Sequence, residues 1–235
     1  MKDLPWTTAT IAVLRSAIVS IVVTASFAGE ADPAAPSVQT RPLRYREVPI
    51  PKPLLITKAC MTFGGDLLHR EPMVTTFRVR GLPPGEAFTF TLVNIHTDPD
   101  ETDTELDALD DVFASVQRGD EDDVILLGDL NVDEYHLGEL GRLPGITWAI
   151  TGQMTNTRRT KAYDNIVFSR QQTAEFTGTC GVFDLMAEFG LSVDEALEVS
   201  DHLPVWAEFS VRESTAVGPV AARPGASLRR QSARP

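Results

Sequence analysis

The sequence is poor in cysteine, in positive charge and in long apolar runs, and each shortage removes a class of protein. Two cysteines, Cys60 and Cys180, allow one disulfide at most, and no CxxC or other zinc-ligand spacing occurs, so neither a disulfide scaffold nor a zinc module fits. Lys and Arg number 21 against 33 Asp and Glu, a formal net charge of −12, where a tight duplex-DNA binder presents a basic face. The longest apolar stretch, Ser16 to Ala28, falls short of the roughly 20 residues of a membrane helix and has the length of a signal-peptide core. Ser26-Phe27-Ala28 places small residues where a signal peptidase inspects. Residues 1–28 are therefore expected to form a signal peptide or a hydrophobic N-terminal helix. Export to a periplasmic or extracellular space leads a cytoplasmic reading, with no stable membrane span after processing.

Beyond residue 28 the chain divides into three parts. Pro33, Pro36, Pro42, Pro49, Pro51 and Pro53 make 29–53 a linker without regular structure. Residues 54–212 carry an α/β pattern, and 213–235, with Arg229-Arg230, reads as a disordered basic tail. Within the α/β part, 74–79 and 88–93 alternate as strands around Pro83-Pro84-Gly85 and predict an antiparallel hairpin. Leu106, Leu109, Val112, Phe113 and Val116 recur at helical spacing. Val124 to Leu127 is a continuous apolar run, as in a strand buried on both faces. Later strands are expected at 166–168 and 204–209. The acids of 98–111 and 120–123 read mostly as a solvated face, and Arg158, Arg159 and Lys161 as one rim of a cleft.

Four segments carry chemistry: Asn94-Ile95-His96-Thr97, Gly128-Asp129-Leu130-Asn131, Tyr163-Asp164-Asn165-Ile166 and Ser200-Asp201-His202-Leu203. Each puts a carboxylate, carboxamide or imidazole beside an apolar run, where a strand end reaches a shared cleft. In-line attack of water on a phosphodiester needs a base, charge stabilisation on the phosphoryl oxygens and help for the leaving oxygen. His202 supplies an imidazole, Asp164 a carboxylate to orient it, and Asp129 a group that orients water or accepts a proton. The Asn131 amide donates to phosphate without adding negative charge, and Asp201 is a hard oxygen ligand suited to Mg²⁺ or Mn²⁺. Each residue also has a bland reading: His96 a strand-end histidine, Asp129 a helix cap, Asp164 a turn residue, Asp201-His202 a loop pair. Their ordered coincidence favours the site. His69 and His136 have no matching constellation and read as structural or solvated. Ser200, Asp201 and His202, being adjacent, cannot form a hydrolase triad among themselves.

The ordered set NIHT, GDLN, YDNIVFS and SDHLPVWAEF resembles the C-terminal part of the endonuclease/exonuclease/phosphatase superfamily, deoxyribonuclease I included, and the resemblance runs from about Asp66 to Val211. It implies an α/β fold: a deoxyribonuclease I-like two-layer β-sandwich flanked by helices, here incomplete. It also implies a metal-dependent phosphodiester hydrolase, a nuclease among the possibilities. His202 and Asp164 would form the base pair, His96 would act on the leaving-group side, and Asp129 and Asn131 would orient nucleophile and phosphate. Asp201 would serve a metal, Arg70 would contact phosphate and Tyr163 would line the cleft. The departure is the family's principal metal-ligand glutamate, usually written Gln-Glu, for which Glu47 is the one nearby candidate. Pro49 and Pro51 forbid a central strand there. The alternative is thus a truncated or degenerate non-catalytic relative, with a partner covering an exposed sandwich face.

Overall fold

The computed structural model describes residues 68–119 and 121–214, together with the backbone of three strands nearer the N-terminus: β1 (Trp6–Val13), β2 (Thr24–Phe27) and β3 (Leu54–Ala59). The remaining elements are β4 (Met73–Val79), β5 (Thr89–His96), α1 (Thr102–Gln117), β6 (Val124–Asp129), β7 (Ile146–Trp148), β8 (Asp164–Ser169), β9 (Phe176–Val182), α2 (Leu185–Phe189), α3 (Val193–Val199) and β10 (Val205–Ser210). They form a six-stranded sheet, order β3-β4-β5-β6-β8-β7, and a four-stranded sheet, order β2-β1-β10-β9. The linker of 29–53, Glu47 and Cys60, and with it any pairing to Cys180, lie outside the described residues.

The six-stranded sheet follows from its local patterns. β4 and β5 pair antiparallel, as the hairpin around Pro83-Pro84-Gly85 predicts. β5 and β6 are parallel, and parallel neighbours need a long crossover, which α1 provides. All six residues of β6 are buried, because strands lie on both sides of it and side chains pack on both faces. One face meets Leu106, Leu109, Val112 and Phe113 of α1. The other meets the second sheet, where β10 alternates, with Val205, Ala207 and Phe209 turned inward. Between the sheets Phe88 stacks on Phe90 and Phe209 at centroid separations of 4.8 and 5.9 Å, and Phe168 meets Phe209 edge-on at 5.6 Å. Each buried ring contributes about 1.5–3 kcal/mol by leaving water, and each ring pair about 0.5–1.5 more.

Three expectations need correction. The helix considered for residues 1–28 is absent where that segment is described: Trp6–Val13 and Thr24–Phe27 are strands, and β1 pairs antiparallel with both β10 and β2. Alternating Thr with Ile and Val suits a pleated surface, and an open edge of β10 supplies the partner. The acidic runs are not uniformly solvated. Glu105 is fully buried because its carboxylate accepts the backbone N–H groups of His69 at 2.5 Å and Asp98 at 2.6 Å, and Asp123 is buried at the start of β6. Finally, ordered contacts pass the expected boundary at 212, since Glu213 accepts the Thr89 N–H and Ser214 donates to Glu175. His69 and His136 are exposed, His136 against Asp133 at 2.6 Å. Among the described residues no helix is long and apolar enough to cross a membrane.

Candidate active site

Strand register sets the site. In the parallel β5–β6 pair His96 lies opposite Asp129, and in the antiparallel β6–β8 pair Asp129 lies opposite Asp164, so three adjacent strands end in three polar residues. Gly128 makes the close approach possible. It sits at φ +147°, and a Cβ there would overlap the Ile95 carbonyl oxygen of β5, so only glycine fits. The chain then turns: the Asn131 N–H bonds back to Asp129 Oδ1 at 3.2 Å, with Asn131 at φ +54°, a conformation Asn tolerates well. The Asn131 side-chain amide donates to the Thr97 carbonyl at 2.8 Å, which orients it beside the end of β5.

His202 arrives from the other sheet, on the segment before β10. That segment is fastened to 155–157 by Thr157 N–H donating to the Asp201 carbonyl at 2.8 Å and Leu203 N–H donating to Thr155 O at 2.6 Å. The imidazole is 4% exposed, and its Nδ1 lies 2.7 Å from Asp164 Oδ2. The Thr155 hydroxyl donates to the same carboxylate oxygen at 2.6 Å while accepting the N–H groups of Tyr163 and Asp164. Nε2 of His202 faces Asp129 Oδ2 at 3.8 Å, and Nε2 of His96 approaches that oxygen at 3.5 Å from the other side. Tyr163 stacks on the His202 ring at 5.9 Å. Burial, then the Asp164 charge, push the Asp129 carboxyl above the ordinary carboxylate range, and His202, His96 and the Asn131 N–H pull it back.

Eight residues were expected here, and the structure gathers most of them. Asp129, Asp164, His202, His96, Asn131 and Tyr163 converge. Arg70 stands at the same strand end, donating to the carbonyls of His96 at 3.1 Å and Thr97 at 3.4 Å. Asp201 is exposed and falls outside the group of donor atoms, from Asp129, Asp164 and His202, that lie within 4.8 Å of one another. The basic rim is thinner than its sequence suggests, because Arg159 pairs with Asp184, the N-cap of α2, at 2.5 Å. Thr155 is the residue that sequence reasoning missed. Nothing in its neighbourhood marks it, since its partners Asp164 and Leu203 are set by tertiary structure. Beside the cleft a groove of about 460 Å³ is lined by Asn131, Tyr135, Met154, Lys161 and Tyr163 among others.

These acidic residues could contribute to a metal site. Asp164 Oδ2 and His202 Nδ1 are spent on each other, so the Asp129 carboxylate is the anionic group of the three turned to both histidines. A hard divalent ion bound by one or two carboxylates, waters and substrate oxygens is compatible with such a set.

The arrangement defines an α/β two-sheet protein with a buried His–Asp pair and a second carboxylate at one end of its strands. Known proteins similar to the chain include deoxyribonucleases. The chain is 36% identical over 166 residues to human deoxyribonuclease-1-like 1, covering 66% of this chain and 54% of that protein. It is 34% identical over 163 residues to pig deoxyribonuclease-1, covering 64% and 56%. Similar solved structures include the human Nocturnin catalytic domain (TM-score 0.43, 14% identity, 68% of this chain and 61% of that one) and humanized D. rerio TDP2 (0.45, 14%, 67% and 68%). No family model matches the chain. Over about two thirds of its length the chain is similar in sequence to deoxyribonuclease-1-like proteins, and its own fold is α/β. It spans about half the length of the curated relatives it matches.

Proposed function

We propose that the chain acts as a metal-dependent phosphodiester hydrolase, with nucleic acid as its substrate class. The supporting observation is the buried His202–Asp164 pair at 2.7 Å with Nε2 directed toward Asp129. In this reading Asp164 fixes the tautomer of His202 and stabilises its cationic form, while Nε2 takes the proton of the attacking water. Asp129 orients that water. His96 stands on the leaving-group side, and Asn131, with one N–H committed to Thr97 O, keeps a second N–H for a phosphoryl oxygen. Arg70 and Lys161 meet the phosphate backbone from the rim. Mg²⁺ or Mn²⁺ would be held by Asp129 with waters and substrate oxygens and would supply Lewis-acid stabilisation of phosphoryl charge. The relatives are named deoxyribonucleases, which supports the substrate class.

A second reading, a non-catalytic relative, is favoured by one observation: Asp201 stands apart from the donor group, so the cleft offers few anionic oxygens. Hydrolysis of bis(p-nitrophenyl) phosphate and of plasmid DNA, measured against Mg²⁺ and Mn²⁺ concentration with His202→Ala as control, separates the two. Metal-dependent turnover that vanishes in the control is the expected result. Equal rates for the chain and the control would refute the hydrolase reading.

A further inference from the structure

A second group of carboxylates lies at the opposite end of the same strands. Asp123 precedes β6, Glu175 precedes β9 and Glu213 follows β10, yet their oxygens lie within 4.8 Å of one another. Asp129 lies six residue steps along the strand from Asp123, about 20 Å at the strand rise of roughly 3.3 Å per residue. Two of the three are interior: Asp123 and Glu175 are each 3% exposed. Part of the set is satisfied, since Glu213 Oε2 accepts the Thr89 N–H at 3.1 Å and Glu175 Oε1 accepts the Ser214 N–H at 2.7 Å. The rest is not. Asp123 Oδ1 and Glu175 Oε2 have no hydrogen-bond partner, and the fully buried Thr173 hydroxyl stands beside the Asp123 carboxylate, favouring its charged form, without a hydrogen bond of good geometry.

Burying carboxylate oxygens together without donors is costly, and the charges acting on Asp123 are themselves acidic: Glu175, Glu213 and Glu121. A cation removes that cost. We propose that Asp123, Glu175 and Glu213, with the Thr173 hydroxyl, form a structural Ca²⁺ site that pins the two sheets together at the end remote from the cleft. Oxygens around one Ca²⁺ at 2.3–2.6 Å can lie up to about 5 Å apart, which accommodates the observed spread. An all-oxygen set in which protein atoms replace water suits Ca²⁺ better than Mg²⁺, which keeps its waters and demands octahedral geometry. The ligands come from the start of a six-stranded-sheet strand and from one end of the antiparallel β9–β10 pair, where β9 begins and β10 ends, so the ion joins segments that are distant in sequence.

The test is titration of the whole chain with Ca²⁺ after EDTA treatment and desalting, read by calorimetry and by the unfolding midpoint. One equivalent is expected to bind, raising the midpoint by roughly 5–10 °C when free Ca²⁺ exceeds its Kd about 100-fold. The response should survive in Asp129→Asn and disappear in Glu175→Gln. Asp123→Asn provides a second variant should Glu175→Gln not fold, and it too should lose the response. No heat and no midpoint shift at millimolar Ca²⁺ would overturn the proposal. So would a response lost in Asp129→Asn but kept in Glu175→Gln, which would assign the ion to the cleft.

Discussion

Gly128→Ala tests the placement of Asp129 most directly, because its cost can be worked out from the backbone alone. The added Cβ would overlap the carbonyl oxygen of Ile95 and come within 2.9 Å of its carbon, both backbone atoms of the neighbouring parallel strand. No flexible side chain can yield there. Relief requires β5 and β6 to part by about an ångström, which costs about 1–3 kcal/mol as overpacking. The φ of +147° adds about 1–3 kcal/mol of backbone strain for a residue with a Cβ. Each ladder bond stretched at the Ile95–Gly128 and His96–Asp129 pairs forfeits about 1 kcal/mol more. The total, roughly 4–8 kcal/mol, is comparable to the whole stability of an ordinary domain, about 5–15 kcal/mol. Equilibrium urea unfolding followed by circular dichroism measures it, with Gly85→Ala as control, since a Cβ at Gly85 meets nothing within 4 Å. The control should remain within about 0.5 kcal/mol of the parent. A Gly128→Ala protein as stable as the control would refute the close approach of β5 and β6 that positions Asp129.

Asp164→Asn should keep the fold, because an amide can present its oxygen to both Thr155 and His202, while any hydrolysis rate falls about 10²–10⁴-fold through loss of the charge that supports the imidazolium; an unchanged rate with a normal circular dichroism spectrum would remove Asp164 from the mechanism. In EDTA, stability should fall as pH rises from about 5 to 9. Asp123 is pushed up to about 9 and Glu121 to about 7 by burial first, so both bind protons more tightly in the folded chain than in the unfolded one. Their contribution is full below the unfolded value and is lost as pH climbs through the folded one. The lowered groups, Asp133, Asp184 and Glu195, act below that window. Asp123→Asn should flatten the slope, and a calcium-free stability that rises between pH 5 and 9 would contradict the cluster's burial.

The legible parts of the fold were those in which local pattern and tertiary role agree. Val124 to Leu127 reads as a buried strand because it is apolar throughout, and it is central in the sheet. The Pro83-Pro84-Gly85 turn joins β4 to β5 for the same reason. The site residues were legible because each ends or borders such a run. What stayed hidden depended on partners far along the chain. Phe176–Val182 carries two glycines and two threonines, with no clear alternation, and becomes a strand by pairing with β10. Glu105 and Asp123 looked like their solvated neighbours because burial of one acid in a run is decided by the backbone or carboxylates it meets. Arg159 looked available to phosphate until α2 brought Asp184 to it.

His202 stands on the segment that leads into β10 of one sheet, and Asp129, Asp164 and His96 on strands of the other, so the cleft is assembled across the sandwich and not within either layer. The alignment of its side chains is therefore a gauge of how the layers are docked. A slide of one sheet by half an ångström, too small to unfold anything, would lengthen the 2.7 Å contact beyond hydrogen-bonding optimum were it not for the clasp between 155–157 and 201–203. That clasp lets the ring travel with its carboxylate. Wear in the aromatic filling around Phe209 should consequently surface as lost stability well before it surfaces as a loosened His–Asp pair.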